Sequence, residues 1–325
     1  MRRLSLLLFT LLLPIKLHAQ SCGTVDLISN LNAAERTQLD ALIAPHPYPN
    51  GNLWQATKPG STVTVVGTIH IPDPRLASIV EQVRPALNDA DLLILEASSD
   101  DQAGVQALAT TQPDMFFITE GPTLIDLLGE EEWADISERL AALGIPAFLA
   151  AKFQPWYLSL TLAIPPCAMT ALQSGEHGLD RQLEAIATAN NTPVGTLDDV
   201  EALLRLFADE PIEKQLDGLR INLETQAGGD AVTSTLIESY FDGRVRESWE
   251  YGRILIEQTD IGNGIELFEE VDKALLLDRN SDWEPKIVGM VAGKDAVLAV
   301  GAAHLSGETG VLRALERAGY TLSPL

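Results

Sequence analysis

The sequence predicts an α/β fold, with a large helical insertion between two sheet-forming halves that look alike. Three observations lead to this. Apolar, Val-containing runs of strand length lie near both ends of the chain, at 62–66 and 296–300. Each is followed by a Gly-x-x-His tetrapeptide, Gly67-Thr68-Ile69-His70 and Gly301-Ala302-Ala303-His304. Between them, from about 120 to 290, apolar residues recur mainly at helical spacing.

In chain order, a helix is expected over 32–44, stopped by the breaker-rich run Pro45-His46-Pro47-Tyr48-Pro49-Asn50-Gly51. Residues 53–56 and 62–66, joined through Lys58-Pro59-Gly60-Ser61, read as a hairpin at the edge or start of a sheet. Leu76, Ile79, Val80, Val83 and Leu87 form a helix-period stripe over 74–88, and Leu92-Leu93-Ile94-Leu95 reads as a buried strand ending at Glu96. Residues 62–96 are therefore expected to form a β-α-β unit. Helices follow over 123–143, 155–164, 179–190 and 198–209, with amphipathic stretches from 211 to 277 and one short strand at 193–197. The chain closes with the 296–300 strand, a helix over 309–318 and a strand at 320–322. No Pro/Ser-rich linker or tandem repeat divides it, so residues 20–325 are expected to be one domain.

Arg2 and Arg3, the apolar run 4–13 and Leu17-His18-Ala19 have the layout of a secretory signal peptide cleaved after Ala19. At about 10 residues, that run is half the length a spanning helix needs. Cys22 just beyond raises lipid attachment, but Ala19-Gln20-Ser21 lacks the Leu expected upstream of such a site. The mature chain is thus expected to be periplasmic or secreted, without stable membrane insertion. The net charge is -24. Such a field repels phosphate backbones and anionic bilayers, which disfavours nucleic-acid partners and leaves a peptide or a small molecule. The two cysteines, Cys22 and Cys167, are expected to form one disulfide in an oxidising compartment.

A histidine just beyond the C-terminal end of a sheet strand stands where open α/β sheets gather ligands. Glu96 occupies the same kind of position, and an ionised carboxylate there needs a cationic partner or a metal. His70, Glu96 and His304 would suit Zn, Mn, Co or Fe(II), and a metal so held would acidify a bound water. Glu96 is equally a candidate general base. Plainer readings stand beside these: a strand-end histidine held by structural hydrogen bonds, Glu96 paired with a lysine or arginine, and Asp180 as a helix N-terminal acid. Arg279, after the apolar run 274–277, either binds a substrate carboxylate or oxyanion or makes a structural ion pair. Of the five histidines, His18 falls in the leader, His46 in the Pro-rich loop and His177 just before Gly178-Leu179-Asp180. No P-loop, Gly-x-Gly-x-x-Gly, His-Glu-x-x-His, Cys-x-x-Cys or Gly-x-Ser-x-Gly is present, so nucleotide cofactors are not indicated.

Gly51-Asn52-Leu53-Trp54, Val66-Gly67-Thr68-Ile69-His70 with Asp73-Pro74-Arg75, Leu95-Glu96, Gly178-Leu179-Asp180, Arg279-Asn280 and Val300-Gly301-Ala302-Ala303-His304-Leu305 with Gly307 and Gly310 together resemble the TraB/GumN family, the bacterial relatives of the Tiki metalloproteases. The resemblance spans nearly the whole mature chain and is thinnest in the helical middle. It implies a mixed sheet from two halves, each bringing one Gly-x-x-His. For Tiki-like members it implies a divalent-metal-dependent peptidase centred on two His and a Glu. Here that nominates His70, His304 and Glu96, with Arg279 as an electrostatic helper. Two alternatives remain: a non-catalytic protein binding a metal, haem or peptide, and a His-dependent hydrolase like the erythromycin-esterase relatives.

Overall fold

In a computed structural model, which describes residues 22–325, six strands form one mixed sheet: β1 Leu53–Lys58, β2 Ser61–Thr68, β3 Leu92–Leu95, β4 Val194–Thr196, β5 Asp295–Gly301 and β6 Thr321–Pro324. Their order is β4-β3-β5-β2-β1-β6. The expected leader and its cleavage point lie outside the described residues. β4, β3, β5 and β2 run parallel, while β1 is antiparallel to both neighbours.

The helices, in chain order, are α1 Ala33–Ile43, α2 Leu76–Asp89, α3 Ser99–Thr111, α4 Leu124–Leu128, α5 Glu130–Ala142, α6 Ala147–Ala150, α7 Pro155–Leu162, α8 Pro166–Gln173, α9 Leu179–Asn190, α10 Val200–Ala208, α11 Ile212–Thr225, α12 Asp230–Phe241, α13 Val245–Glu257, α14 Gly264–Asp272, α15 Arg279–Val291 and α16 Val311–Arg317. A π-helical segment, Lys273–Asp278, joins α14 to α15.

Alternation along the strands sorts the core into two layers. Val63 and Val65 of β2, Ile94 of β3, and Leu298 and Val300 of β5 pack with Trp283, Ile287 and Val291 of α15 and Leu312 and Leu315 of α16. The intervening Val66, Leu93, Leu95, Val297 and Ala299 pack with α2 and α9 through Leu76, Val80, Val83, Leu87, Leu179 and Leu183. The sheet is thus covered on both faces, as a largely parallel sheet requires. A separate helical core gathers Leu124, Ile136, Leu140, Leu158 and Leu219 from the middle of the chain.

Several expectations shift. The hairpin is internal: β6 covers β1, and β5 lies against β2. The unit over 62–96 is not a neighbouring pair, because β5 inserts between β2 and β3 and fills the gap with a strand from the far end of the chain. The helix expected over 123–143 breaks at Gly129, whose φ of 85° no helix accommodates, giving α4 and α5. α3, with its Ser98–Asp101 capping box, was not expected; few of its residues are apolar and none is buried. α10 begins at Val200, so Asp198 falls in the loop before it.

Cys22 and Cys167 form the expected disulfide, with Cα atoms 5.4 Å apart. It ties the start of the described chain to α8. Among the described residues no helix is long and apolar enough to cross a membrane.

Candidate functional site

The C-terminal ends of β2, β3, β4 and β5 converge on a cleft of about 270 Å³, lined by Thr68, His70, Glu96, Asp180, Asp198 and Arg279 among others. The two Gly-x-x-His segments leave adjacent strands one register apart: Gly67 lies opposite Val300, and Thr68 opposite Gly301. One step along a strand turns a side chain to the other face. Accordingly His70 is met by α9, on one side of the sheet, and His304 by α15, on the other.

His70 is placed by α9. Leu179 N–H donates to the Ile69 carbonyl at 2.9 Å, and Asp180 Oδ1 lies 3.1 Å from His70 Nδ1. A Cβ on Gly178 would come within 2.6 Å of the His70 backbone, so only glycine lets this helix start come so near. Tyr240 OH donates to the Gly67 carbonyl at 2.9 Å. The His70 side chain is 70% exposed, and its Nε2 has no partner among the described residues. The hydrogen bond to Asp180 raises its pKa above the ordinary value; desolvation opposes this, and the charges of Asp180 and Glu96 assist.

His304 is its opposite in exposure and in the direction of its pKa shift. A 3-10 turn, Ala302–His304, folds it back into the core, where 4% of its surface remains exposed. Its Nδ1 lies 2.8 Å from Asn280 Oδ1, and the ring packs on Trp283 with centroids 4.4 Å apart. An amide oxygen can only accept, so Nδ1 carries the hydrogen and Nε2 offers a lone pair, which Arg279 Nη1 meets at 3.1 Å. Burial pushes His304 down to about 4, Glu96 opposing and Arg279 assisting, and the ring is neutral at ordinary pH.

Arg279 is the hub. Nη2 donates to Glu96 Oε2 at 2.5 Å and Asp198 Oδ2 at 2.6 Å, Nε to Asp198 Oδ1 at 3.3 Å, and Nη1 to the Leu275 carbonyl as well as His304. Those partners engage all five N–H groups of the guanidinium. Arg279 therefore has no donor left for a substrate oxygen, and the ion-pair reading describes it. Glu96 also accepts Gly301 N–H through Oε1. Burial would raise the Glu96 carboxyl, but the field of His304, Arg279 and His70, with the Gly301 N–H, holds it at about 2. Trp283 Nε1 secures Asp198 at 2.7 Å.

Thus His70, Glu96, Arg279 and His304 line or border one cleft, in two groups: an open His70–Asp180 pair and a closed Glu96–Arg279–His304–Asp198 network. Asp198, Asn280, Trp283 and Thr68 complete the site. Asp198 was hidden by its expected place at a helix start, and Trp283 by its resemblance to ordinary core. Thr68 has a buried hydroxyl without a partner among the described residues. Asp180 does sit in the first turn of a helix, yet its carboxylate serves His70.

The donor set bears on the divalent cation expected at His70, Glu96 and His304. His304 Nε2 and Glu96 Oε2 both spend lone pairs on Arg279, whereas His70, held by Asp180 through Nδ1, keeps Nε2 open. Among the described residues no group of three or more His, Cys, Asp or Glu side chains is gathered closely enough to hold a metal ion. As arranged, these residues do not fit such an ion, because a guanidinium fills the place between two of its expected ligands.

A family model described as the TraB/PrgY/gumN family matches residues 52–324. The chain is also 24% identical over 266 residues to "Uncharacterized protein YbaP" of Shigella flexneri and to the protein of the same description from Escherichia coli (strain K12), covering 80% of this chain and 91% of each relative.

Proposed function

This chain belongs to the TraB/PrgY/gumN family, and from that footing and its site geometry we propose that it is an exported, peptidase-like hydrolase in which His70 moves the proton. The observation that carries the reading is the solvent-open His70 with Nδ1 on Asp180 and Nε2 unclaimed among the described residues. In this role Nε2 takes a proton from the attacking water, and the imidazolium that forms is stabilised by Asp180 at hydrogen-bond distance and by the anionic Glu96 across the cleft. Arg181, which lines the cleft and is paired with Glu184, is the cation available to a substrate carbonyl or carboxylate. Arg279 acts through Glu96 and His304 as a positioning residue. The Cys22–Cys167 bond supports export to an oxidising compartment.

The metal-dependent form of this hydrolysis, which the Tiki-like resemblance implies, requires His304 Nε2 and Glu96 Oε2 to exchange Arg279 for the ion. Metal analysis of purified protein decides it, with wild type set against His70→Ala and His304→Ala. Unchanged metal content in both variants would remove the cation from the reading. The hydrolase itself is tested by comparing wild type and His70→Gln on a peptide library and on simple esters. The variant is expected to lose about 10²–10⁴-fold, and undiminished cleavage would overturn the role of His70.

A second reading rests on the closed network. Because Glu96, Arg279, Asp198 and His304 satisfy one another, the cleft also suits a protein that binds a peptide without cleaving it. Stoichiometric peptide binding with no cleavage across the library would favour this reading.

A further inference from the structure

A second concavity, of about 390 Å³, opens between α7, α10, α11 and α14. Three large apolar side chains with substantial exposure, Leu160 (45%), Leu206 (47%) and Val271 (39%), converge on it. Its wall includes Trp156 and Phe207, stacked with ring centroids 6.3 Å apart. Apolar side chains scattered singly over a surface need no explanation, but three gathered in one concavity mark a binding groove.

Two elements connect this groove to the cleft. On α10, Val200 and Leu203 line the cleft, while Leu206 and Phe207 line the groove. Steps of three and four residues put them on one face of the helix. α10 buries none of its residues, although its sequence is Val-Glu-Ala-Leu-Leu-Arg-Leu-Phe-Ala. On the other side, Leu275 lines the groove and holds Arg279 with its carbonyl. Leu275 belongs to the π-helical segment, a kind of irregularity often found at functional sites.

We propose that this groove is the specificity subsite of the hydrolase: it takes a large apolar side chain of a peptide whose main chain runs along α10 into the cleft at His70. The proposal rests on the peptidase-like hydrolase reading above and adds a preference for a large apolar side chain at one position of the peptide. A peptide is favoured over an acyl chain by two features. Gln226 brings to the groove a side-chain amide with no hydrogen-bond partner among the described residues, a group that a peptide main chain would use and an acyl chain would not. The chain's charge of -24 disfavours a fatty-acid carboxylate or an anionic lipid.

The test uses the purified mature chain and fluorescent, end-blocked hexapeptides identical except for one position, Leu, Phe or Ser, with a dodecanoyl probe alongside. Binding is read by fluorescence anisotropy and cleavage by chromatography. Wild type is expected to bind the Leu and Phe peptides at least tenfold more tightly than the Ser peptide. Leu206→Glu and Val271→Glu should reduce that ratio to below threefold, and Leu236→Glu, at an exposed apolar position outside the groove, should preserve it. Thermal melting within a few degrees of wild type shows that the variants fold. Equal affinity for the three peptides, an undiminished ratio in both groove variants, or capture of the dodecanoyl probe alone would overturn the subsite. Preferential binding without cleavage of any peptide would leave the subsite standing and defeat the hydrolase reading. Cleavage without preference would do the reverse.

Discussion

Gly178 stands against the backbone of His70 so closely that a Cβ in its place would lie 2.6 Å from the His70 Cα. This approach puts Asp180 on the imidazole. In Gly178→Ala, α9 and the His70 segment must move apart, and the hydrogen bond at Nδ1 lengthens or breaks. Loss of activity by at least about tenfold is expected, with the far-ultraviolet circular dichroism of wild type. Full activity in a folded variant would show that the contact does not position His70.

Asp180 sets the protonation range of His70. A base must be neutral to accept a proton, so activity should rise with pH through the raised His70 pKa. Asp180→Asn removes the leading cause of that rise. The acidic limb of the kcat/KM profile should move to lower pH, and the rate on its plateau should fall by about 10–100-fold. An unmoved limb would assign the titration to another group.

His304 makes the protein acid-sensitive. Its folded pKa of about 4 lies below the ordinary 6.5, so at higher pH both folded and unfolded chains carry it neutral. As pH falls from 6.5 to 4 the unfolded chain takes up the proton first, and stability declines by on the order of 3 kcal/mol. Glu96 acts next: its depressed pKa stabilises the fold above about 4.5, and this contribution is lost as pH falls toward 2. Urea unfolding at a series of pH values should show the first slope in wild type and its loss in His304→Gln. An identical slope in both would exclude His304 as its source.

Removing Arg279 leaves Glu96 and Asp198 as poorly solvated carboxylates without their cation. Arg279→Ala is expected to lose about 3–5 kcal/mol. It also frees the lone pairs of Glu96 Oε2 and His304 Nε2. Added Mn²⁺, Co²⁺ or Zn²⁺ should therefore raise the melting temperature of the variant more than that of wild type. A larger rise in wild type would show that Arg279 supports the ion and does not compete with it.

The strands, α2, α9 and the hairpin were legible because local patterns encode them: alternation, the helix-period stripe of Leu76 to Leu87, and the breakers around Gly60. The cysteine pair was legible from count and expected compartment. The order of strands was not, because β5 enters between β2 and β3 from about 200 residues further along the chain. Arg279 stood out only as a polar residue after an apolar run, and nothing nearby in sequence indicated that Glu96, Asp198 and His304 would use all its donors.

The sequence by itself determined an α/β fold and placed two histidines and Glu96 beyond strand ends, since period and strand termini are local properties. Only the tertiary structure decided that the two histidines differ. The one-residue offset between β2 and β5 sends His70 toward solvent and Asp180, and His304 toward Asn280, Trp283 and Arg279. Register is a relation between distant strands, and burial, which separates their protonation behaviour, follows from what packs around each ring.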